Sequence, residues 1–166
     1  MRVLALPIVL ALSSTMVVAQ PHTEPAKCAI GYNASDTLTE TIKSEQFAFE
    51  GFNKLCETLR KEQLQIFVTS SSGVLEQRAY GWVTVTLGRL SNGVLGTISQ
   101  SSTTLSKKSD SPEAKRLMME SLNKALQVIA RDPSSYVESV VIEEIRLRQT
   151  LAGNGLQHKL AHSAEH

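Results

Sequence analysis

The sequence predicts an α+β fold, in which a three-stranded antiparallel sheet packs against an N-terminal helix and a C-terminal helix. Residues 64–105 alternate between apolar and polar side chains and contain turn-forming residues, as antiparallel strands do. The flanking segments 36–62 and 111–131 instead repeat their apolar residues at helical spacing. The predicted order is therefore α-β-β-β-α, with a further helix or strand after it.

The first nineteen residues have the features of a secretion signal. Arg2 is their only charge, residues 3–12 are apolar, and small residues precede a cleavage point between Ala19 and Gln20. A membrane anchor is the alternative, but hydroxyl side chains interrupt the apolar run before it reaches the roughly 20 residues needed for a span. We therefore expect an exported protein, periplasmic or extracellular, with no membrane span after cleavage.

Removal of residues 1–19 from the 166-residue chain leaves the length of one ordinary domain. We expect an N-terminal tail over residues 20–33, since it contains two prolines and a glycine, and a single α+β domain over 34–150. Residues 151–166 are predicted to form a flexible C-terminal tail. The formal net charge falls from +1 to zero when Arg2 is lost, which argues against a nucleic-acid partner.

The chain has two cysteines, Cys28 and Cys56. An even pair in an exported protein favours a disulfide, which would tie the N-terminal tail to the first helix. On the chain-entropy account such a crosslink contributes about 3 kcal/mol. No CxxC motif is present, so the sequence gives no indication of a redox site.

The first helix is predicted over residues 36–62. Thr37 and Glu40 have the spacing of a capping box, and apolar residues recur at helical intervals as far as Leu59. Gly51 lies in the middle of this segment and marks a kink or a close approach of another element.

Three strands follow. The first covers residues 64–69 and is expected to end at the serines and glycine of 70–73, the second runs over 78–89, and the third over 94–105. Asn92 and Gly93 separate the last two strands and favour a two-residue type I′ hairpin. That loop sets a register in which Ser91 faces Val94, Leu87 faces Ile98, and Val85 faces Gln100.

This register places hydroxyl and aromatic side chains together on one face of the sheet. Antiparallel sheets often expose one face to water, and aromatic side chains are enriched where proteins bind partners. The candidate binding residues are therefore Tyr80, Trp82, Thr84, Thr86, Ser99 and Ser101. In the alternative interpretation a helix covers this face, and the two aromatic rings belong to the core.

The helix over residues 111–131 has clear boundaries. Asp110 and Ser111 can cap it, Pro112 occupies its first turn, and Pro133 ends it. The next segment, 134–149, fits either a helix or a β-branched strand, and we favour the helix.

The histidines and carboxylates of the sequence do not form a catalytic pattern. All four histidines lie in the predicted tails, where an imidazole is not held rigidly enough for a triad. His158, His162 and His166 are spaced by four and would share a helix face, but a mobile tail makes a weak metal site. Adjacent carboxylates such as Glu143 and Glu144 are typical of a solvated helix face. We predict no metal and no cofactor.

The sequence favours an exported, non-enzymatic binding protein that contacts a protein or glycan through the sheet. One alternative is a subunit of an envelope or secretion assembly that docks through residues 134–150. Another is a small hydrolase with an unrecognised site. Buried Tyr80 and Trp82 side chains would argue against binding through the sheet. An uncovered apolar stripe on residues 134–150 would favour a subunit of an assembly. A deep pocket with convergent carboxylates would favour an enzyme.

Overall fold

A computed structural model of the chain describes residues 28–163, with side chains as far as residue 152. The predicted signal and most of the predicted N-terminal tail lie outside the described residues. The described elements, in chain order, are β1 (Tyr32–Asn33), α1 (Asp36–Glu45), α2 (Phe52–Lys61), β2 (Leu64–Leu75), β3 (Arg78–Arg89), β4 (Leu95–Ser106), α3 (Ser111–Arg131) and α4 (Pro133–Ser163).

The α+β class is confirmed, and the sheet has one more strand than predicted. Its order is β1-β2-β3-β4, with β2, β3 and β4 antiparallel and β1 parallel to β2. The extra strand is β1, which lies in the segment 20–33 that the sequence assigned to a tail. A strand of two residues is too short to produce an alternating pattern.

The prediction of one helix over residues 36–62 is wrong, because the segment forms two helices. The chain leaves α1 at Gln46, which has φ 60°, and α2 begins after Gly51, which has φ 85°. Gly51 therefore ends an interruption rather than kinking a continuous helix. The predicted close approach of another element is present, since a Cβ on Gly51 would lie 3.0 Å from the Ala130 Cβ of α3. Ser35, not Thr37, caps α1: its hydroxyl accepts a hydrogen bond from the Leu38 amide at 3.4 Å.

The predicted break at residues 70–73 is also wrong. β2 continues through its serines to Leu75, which pairs with Arg78 across a two-residue loop. Glu76 and Gln77 occupy that loop with φ of 47° and 62°, the left-handed conformation that a type I′ turn requires. Neither residue type signals such a turn, so the sequence placed the break at the glycine instead.

The β3–β4 hairpin agrees with the predicted register along most of its length. Val85 pairs with Gln100 and Thr86 with Ser99, as expected. Near the turn the register shifts between Thr86 and Gly88, so the predicted Ser91–Val94 and Leu87–Ile98 pairs do not form. The hairpin instead closes where the Arg89 amide donates to the Val94 carbonyl at 2.9 Å, which leaves residues 90–93 as the loop.

Both C-terminal segments are helical. α3 has the predicted bounds, and the carboxylate of its cap, Asp110, accepts a hydrogen bond from the Glu113 amide at 2.7 Å. α4 settles the ambiguity of residues 134–149 in favour of a helix. The helix runs on to Ser163 and thus includes most of the segment 151–166 that was predicted to be a tail.

The core lies between the helices and one face of the sheet. Gly81 marks the closest approach: a Cβ built on it would lie 2.1 Å from the backbone nitrogen of Met118 in α3. The predicted disulfide is confirmed, since Cys28 and Cys56 are bonded, with their Cα atoms 6.1 Å apart. It attaches the segment before β1 to the buried side of α2.

Candidate binding surfaces

The two faces of the sheet have different surroundings. On the covered face, Val83, Val85 and Leu87 are fully buried beneath α3. α4 lies on the same face, where Tyr136 donates a hydrogen bond to Gln100 and a Cβ on Gly96 would meet Ser139. Within residues 28–163, the opposite face carries no helix. We call it the open face, and its residues are Phe67, Thr69, Ser71, Gly73, Tyr80, Trp82, Thr84, Thr86, Ser99, Ser101, Thr103 and Leu105.

Tyr80 and Trp82 are half-buried on the open face. The Tyr80 ring lies across Gly73 of β2, where an added Cβ would be 3.2 Å from it, and the Tyr80 hydroxyl is 3.3 Å from the Ser71 hydroxyl. Trp82 pairs with Ser71 on one side and with Thr103 on the other. The burial of the two rings therefore comes from neighbouring strands, and their outer surfaces remain accessible.

Hydroxyl groups surround the aromatic pair. The Thr84 and Ser101 hydroxyls are 2.7 Å apart, and Thr86 pairs with Ser99 one step further along the strands. The structure therefore brings all six predicted candidate residues onto one face.

The β2 part of this surface was not predicted from the sequence. Phe67, Thr69 and Ser71 share the open face, but the predicted end of the strand at 70–73 separated them from Tyr80 and Trp82. Their alternation with Ile66, Val68 and Ser70 was the available signal, and it continues past the serines.

The central part of the open face has no charged side chain, and the first one is Arg78, at the end of β3. Ion pairs lie elsewhere. Arg89 holds Glu144 of α4 in a two-point contact of 2.7 and 3.0 Å, and also donates to the carbonyl of Glu62. These hydrogen bonds from Arg89 lower the pKa of Glu144. The open face thus presents dipoles and aromatic rings rather than charge.

Several carboxylates outside the open face have ordinary partners. Glu144 pairs with Arg89, Glu143 lies 3.6 Å from Arg146, and Glu50 accepts a hydrogen bond from Gln127. On α3, hydrogen bonds from Arg116 lower the pKa of Glu113 to about 2. At Glu113 and Glu144 the partners stabilise the charged form, whereas a general acid requires a raised pKa.

Among the described residues, no three metal-ligating side chains come together. His158 and His162 belong to α4 beyond the last described side chain, while His22 and His166 lie outside the described residues. The proposed histidine arrangement is therefore not tested by the structure.

A groove of about 580 Å³ lies between the segment before β1 and the helices α1 and α2. Its lining is mainly apolar, with Ile30, Ile42 and Phe47 among the contributors. Among the described lining residues Glu57 is the one carboxylate, so these residues do not form a site of convergent carboxylates. The sequence did not predict it, because it depends on the break between α1 and α2.

α4 carries a second accessible surface. Its contacts with the sheet and hairpin involve Tyr136, Val140 and Glu144, and the same side of the helix continues at Leu147 and Leu151. Leu147 is 46% exposed and Leu151 is 63% exposed. The side of the helix that packs on the sheet therefore extends beyond the sheet, and no described residue covers it there. Further exposed apolar residues on the helix are Val141, Ile142 and Ile145.

Comparisons with protein-family models, with curated proteins and with solved structures give no match. No helix among the described residues has the length and apolar character needed to cross a membrane.

Proposed function

We propose that the protein is an exported, non-enzymatic binding protein that contacts its ligand through the open face of the sheet. The observation that carries this proposal is the position of Tyr80 and Trp82, half-buried on a face that no described helix covers. Aromatic rings held by neighbouring strands offer a large contact area at little entropic cost, because they are already ordered.

The chemistry of the face indicates the class of ligand. Hydroxyl groups from Thr84, Thr86, Ser99 and Ser101 offer both donors and acceptors, and the centre of the face is uncharged. Such a surface suits a neutral glycan, whose rings stack on aromatic side chains and whose hydroxyls form hydrogen bonds. An uncharged protein surface is the other class that fits.

Trp82 makes the proposal testable, because it is the only tryptophan in the chain. Neutral oligosaccharides from the host envelope and fractions of host exported proteins would be titrated separately while Trp82 fluorescence is followed. We expect saturable quenching or a spectral shift with one of the two. The absence of a response with both would contradict the proposal.

Two matched variants, whose affinities for the ligand are measured by calorimetry, test where on the protein the ligand binds. Trp82→Ser should abolish binding, whereas Ile142→Ser on α4 should leave the affinity unchanged, since both residues are accessible but lie on opposite sides of the sheet. Retained binding in Trp82→Ser would place the site elsewhere.

A second candidate function is supported by α4. The uncovered stripe at Leu147 and Leu151 favours a subunit that docks into an envelope or secretion assembly through this helix. In that case Leu151→Ser would prevent co-purification of partner subunits from the host, while Trp82→Ser would not. The same pair of variants therefore separates the two functions.

A further inference from the structure

We propose that two copies of the chain associate through the outer edge of β4, which pairs antiparallel with β4 of the second copy. β4 is the last strand of the sheet and is 12 residues long. In the described part of the chain, no strand pairs with its outer side.

The hydrogen bonds of the sheet identify which backbone groups are free. In a strand, the N–H and C=O groups of alternate residues point to opposite neighbours. The Leu90 amide donates to Gln63 beside β2, and the Arg89 amide donates to Val94 beside β4. Odd-numbered residues of β3 therefore face β4.

This alternation continues into β4. Val85 and Val83 face Gln100 and Ser102, so these even-numbered β4 residues are hydrogen-bonded to β3. The backbone groups directed at the free edge are consequently those of Ser99, Ser101, Thr103 and Leu105. Their side chains lie on the open face, and all four are exposed.

The sequence of this edge lacks the features that normally prevent strand pairing. Native edge strands are blunted by charged residues, prolines, short length or cover from another element. β4 contains no charged residue and no proline over Leu95–Ser106. A register shift disturbs only its first residues, next to Gly88. A regular strand from Ser99 onward is therefore available for pairing.

The chemistry of the edge favours a second copy as the partner. A two-fold axis at Ser102 would pair Ser101 with Thr103 and Ser99 with Leu105, so that all the free groups are satisfied. Within the paired strands no like charges would face each other, because Lys107 and Lys108 fall opposite the uncharged start of β4. A two-fold arrangement also closes after two copies, whereas pairing of β4 with the part of the β2 edge that β1 leaves unpaired would propagate into filaments.

The association would join two open faces into one continuous surface. Each copy supplies its own Tyr80 and Trp82, so a dimer would present two aromatic pairs on the same side of an extended sheet. This consequence relates to the proposed function, but the association itself does not depend on it.

Charge substitutions at the edge test the proposal. The full-length gene product, purified under oxidising conditions, should show a concentration-dependent monomer–dimer equilibrium in analytical ultracentrifugation. Ser101→Lys/Thr103→Lys places like charges opposite each other across the axis and should raise the dimer dissociation constant at least about tenfold. Ser101→Glu/Thr103→Glu should do the same, and an equimolar mixture of the two variants should restore dimers.

Thr69→Lys/Ser71→Lys is the matched control, since these residues lie on the open face of β2, away from the β4 edge. Dimers should persist in this variant, whereas a face-to-face dimer would be lost. A monomeric wild-type protein, filament formation, or an equal loss of dimers in the control would overturn the proposal. Amide exchange provides a second measurement, because the Ser101 and Thr103 amides should become protected as the protein concentration rises.

Discussion

The two faces of the sheet are made by the same three long strands but differ in composition and environment. On β3, alternate residues are Val83, Val85 and Leu87 on the covered face, and Trp82, Thr84 and Thr86 on the open face. The first set is fully buried, while the second is half-buried with no described helix above it. Stability and binding are therefore expected to depend on opposite faces of one strand.

Two glycines provide the strongest test of this difference. Gly81 lies on the covered face, where an added Cβ would be 2.1 Å from the backbone of α3. Gly81→Ala should therefore lower the free energy of unfolding by about 3 kcal/mol or more, since the helix must move. Gly73→Ala on the open face meets only the Tyr80 ring, at 3.2 Å, and should cost less than about 1 kcal/mol. Urea unfolding would compare them, and equal losses would contradict the assignment of the faces.

The disulfide is the next largest contribution on the covered side. Cys28 and Cys56 are separated by 28 residues, so their bond restricts a long loop of the unfolded chain. Cys28→Ser/Cys56→Ser should therefore lower the unfolding free energy by about 3 kcal/mol. Urea unfolding measures the free energy of unfolding of the variant and of the oxidised wild type. As a control, reductant added to the variant, which has no cysteine, should leave its stability unchanged. A difference below about 1 kcal/mol would show that the crosslink contributes little.

The ion pair between Arg89 and Glu144 attaches α4 to the hairpin and should have a smaller effect. The Glu144 side chain is only 13% exposed, so Glu144→Gln leaves the Arg89 charge partly desolvated and should cost about 1–2 kcal/mol. Glu143→Gln is the matched control, since Glu143 lies one residue away and its one ion pair within the described side chains is with exposed Arg146.

The Glu144 contribution should depend on pH. Hydrogen bonds from Arg89 lower the Glu144 pKa in the folded protein, so the unfolded chain binds this proton more readily. The stabilisation is therefore complete above the unfolded pKa of about 4.3 and declines as pH falls through the folded value. The stability difference between wild type and Glu144→Gln should be constant from about pH 7 to pH 5 and should shrink below about pH 4. A difference that grows on acidification would rule out this role.

The secondary-structure elements were predicted most accurately where capping or turn residues and the apolar periodicity indicate the same structure. α3 has its predicted bounds because Asp110, Pro112 and Pro133 set its ends independently of tertiary contacts. The β3–β4 register beyond Thr86 matches the predicted one although the two-residue Asn92–Gly93 loop does not form, because the shift between Thr86 and Gly88 compensates for the longer loop. The same register keeps Val83 and Val85 in the core.

The errors occurred where long-range packing decides the local conformation. Glu76 and Gln77 take up a left-handed turn because β2 and β3 pair on both sides of them, although neither residue favours it. α1 ends at Gln46, and the chain between the helices packs Phe47 and Phe49 together, an arrangement that helical periodicity does not reveal. For the same reason, the β2 portion of the open face was missed.

The smallest expected effect concerns the hydroxyl groups of the open face. Thr84→Val removes one partner of the 2.7 Å contact with Ser101, but water can replace it on an accessible surface. The unfolding free energy should therefore change by less than about 0.5 kcal/mol, whereas Val85→Ala, one residue along on the covered face, should cost about 2 kcal/mol. Urea unfolding of both variants makes the comparison. A loss above about 2 kcal/mol for Thr84→Val would mean that the face is buried in the native protein. The open face would then be part of the core, and its aromatic pair would not be available to a ligand.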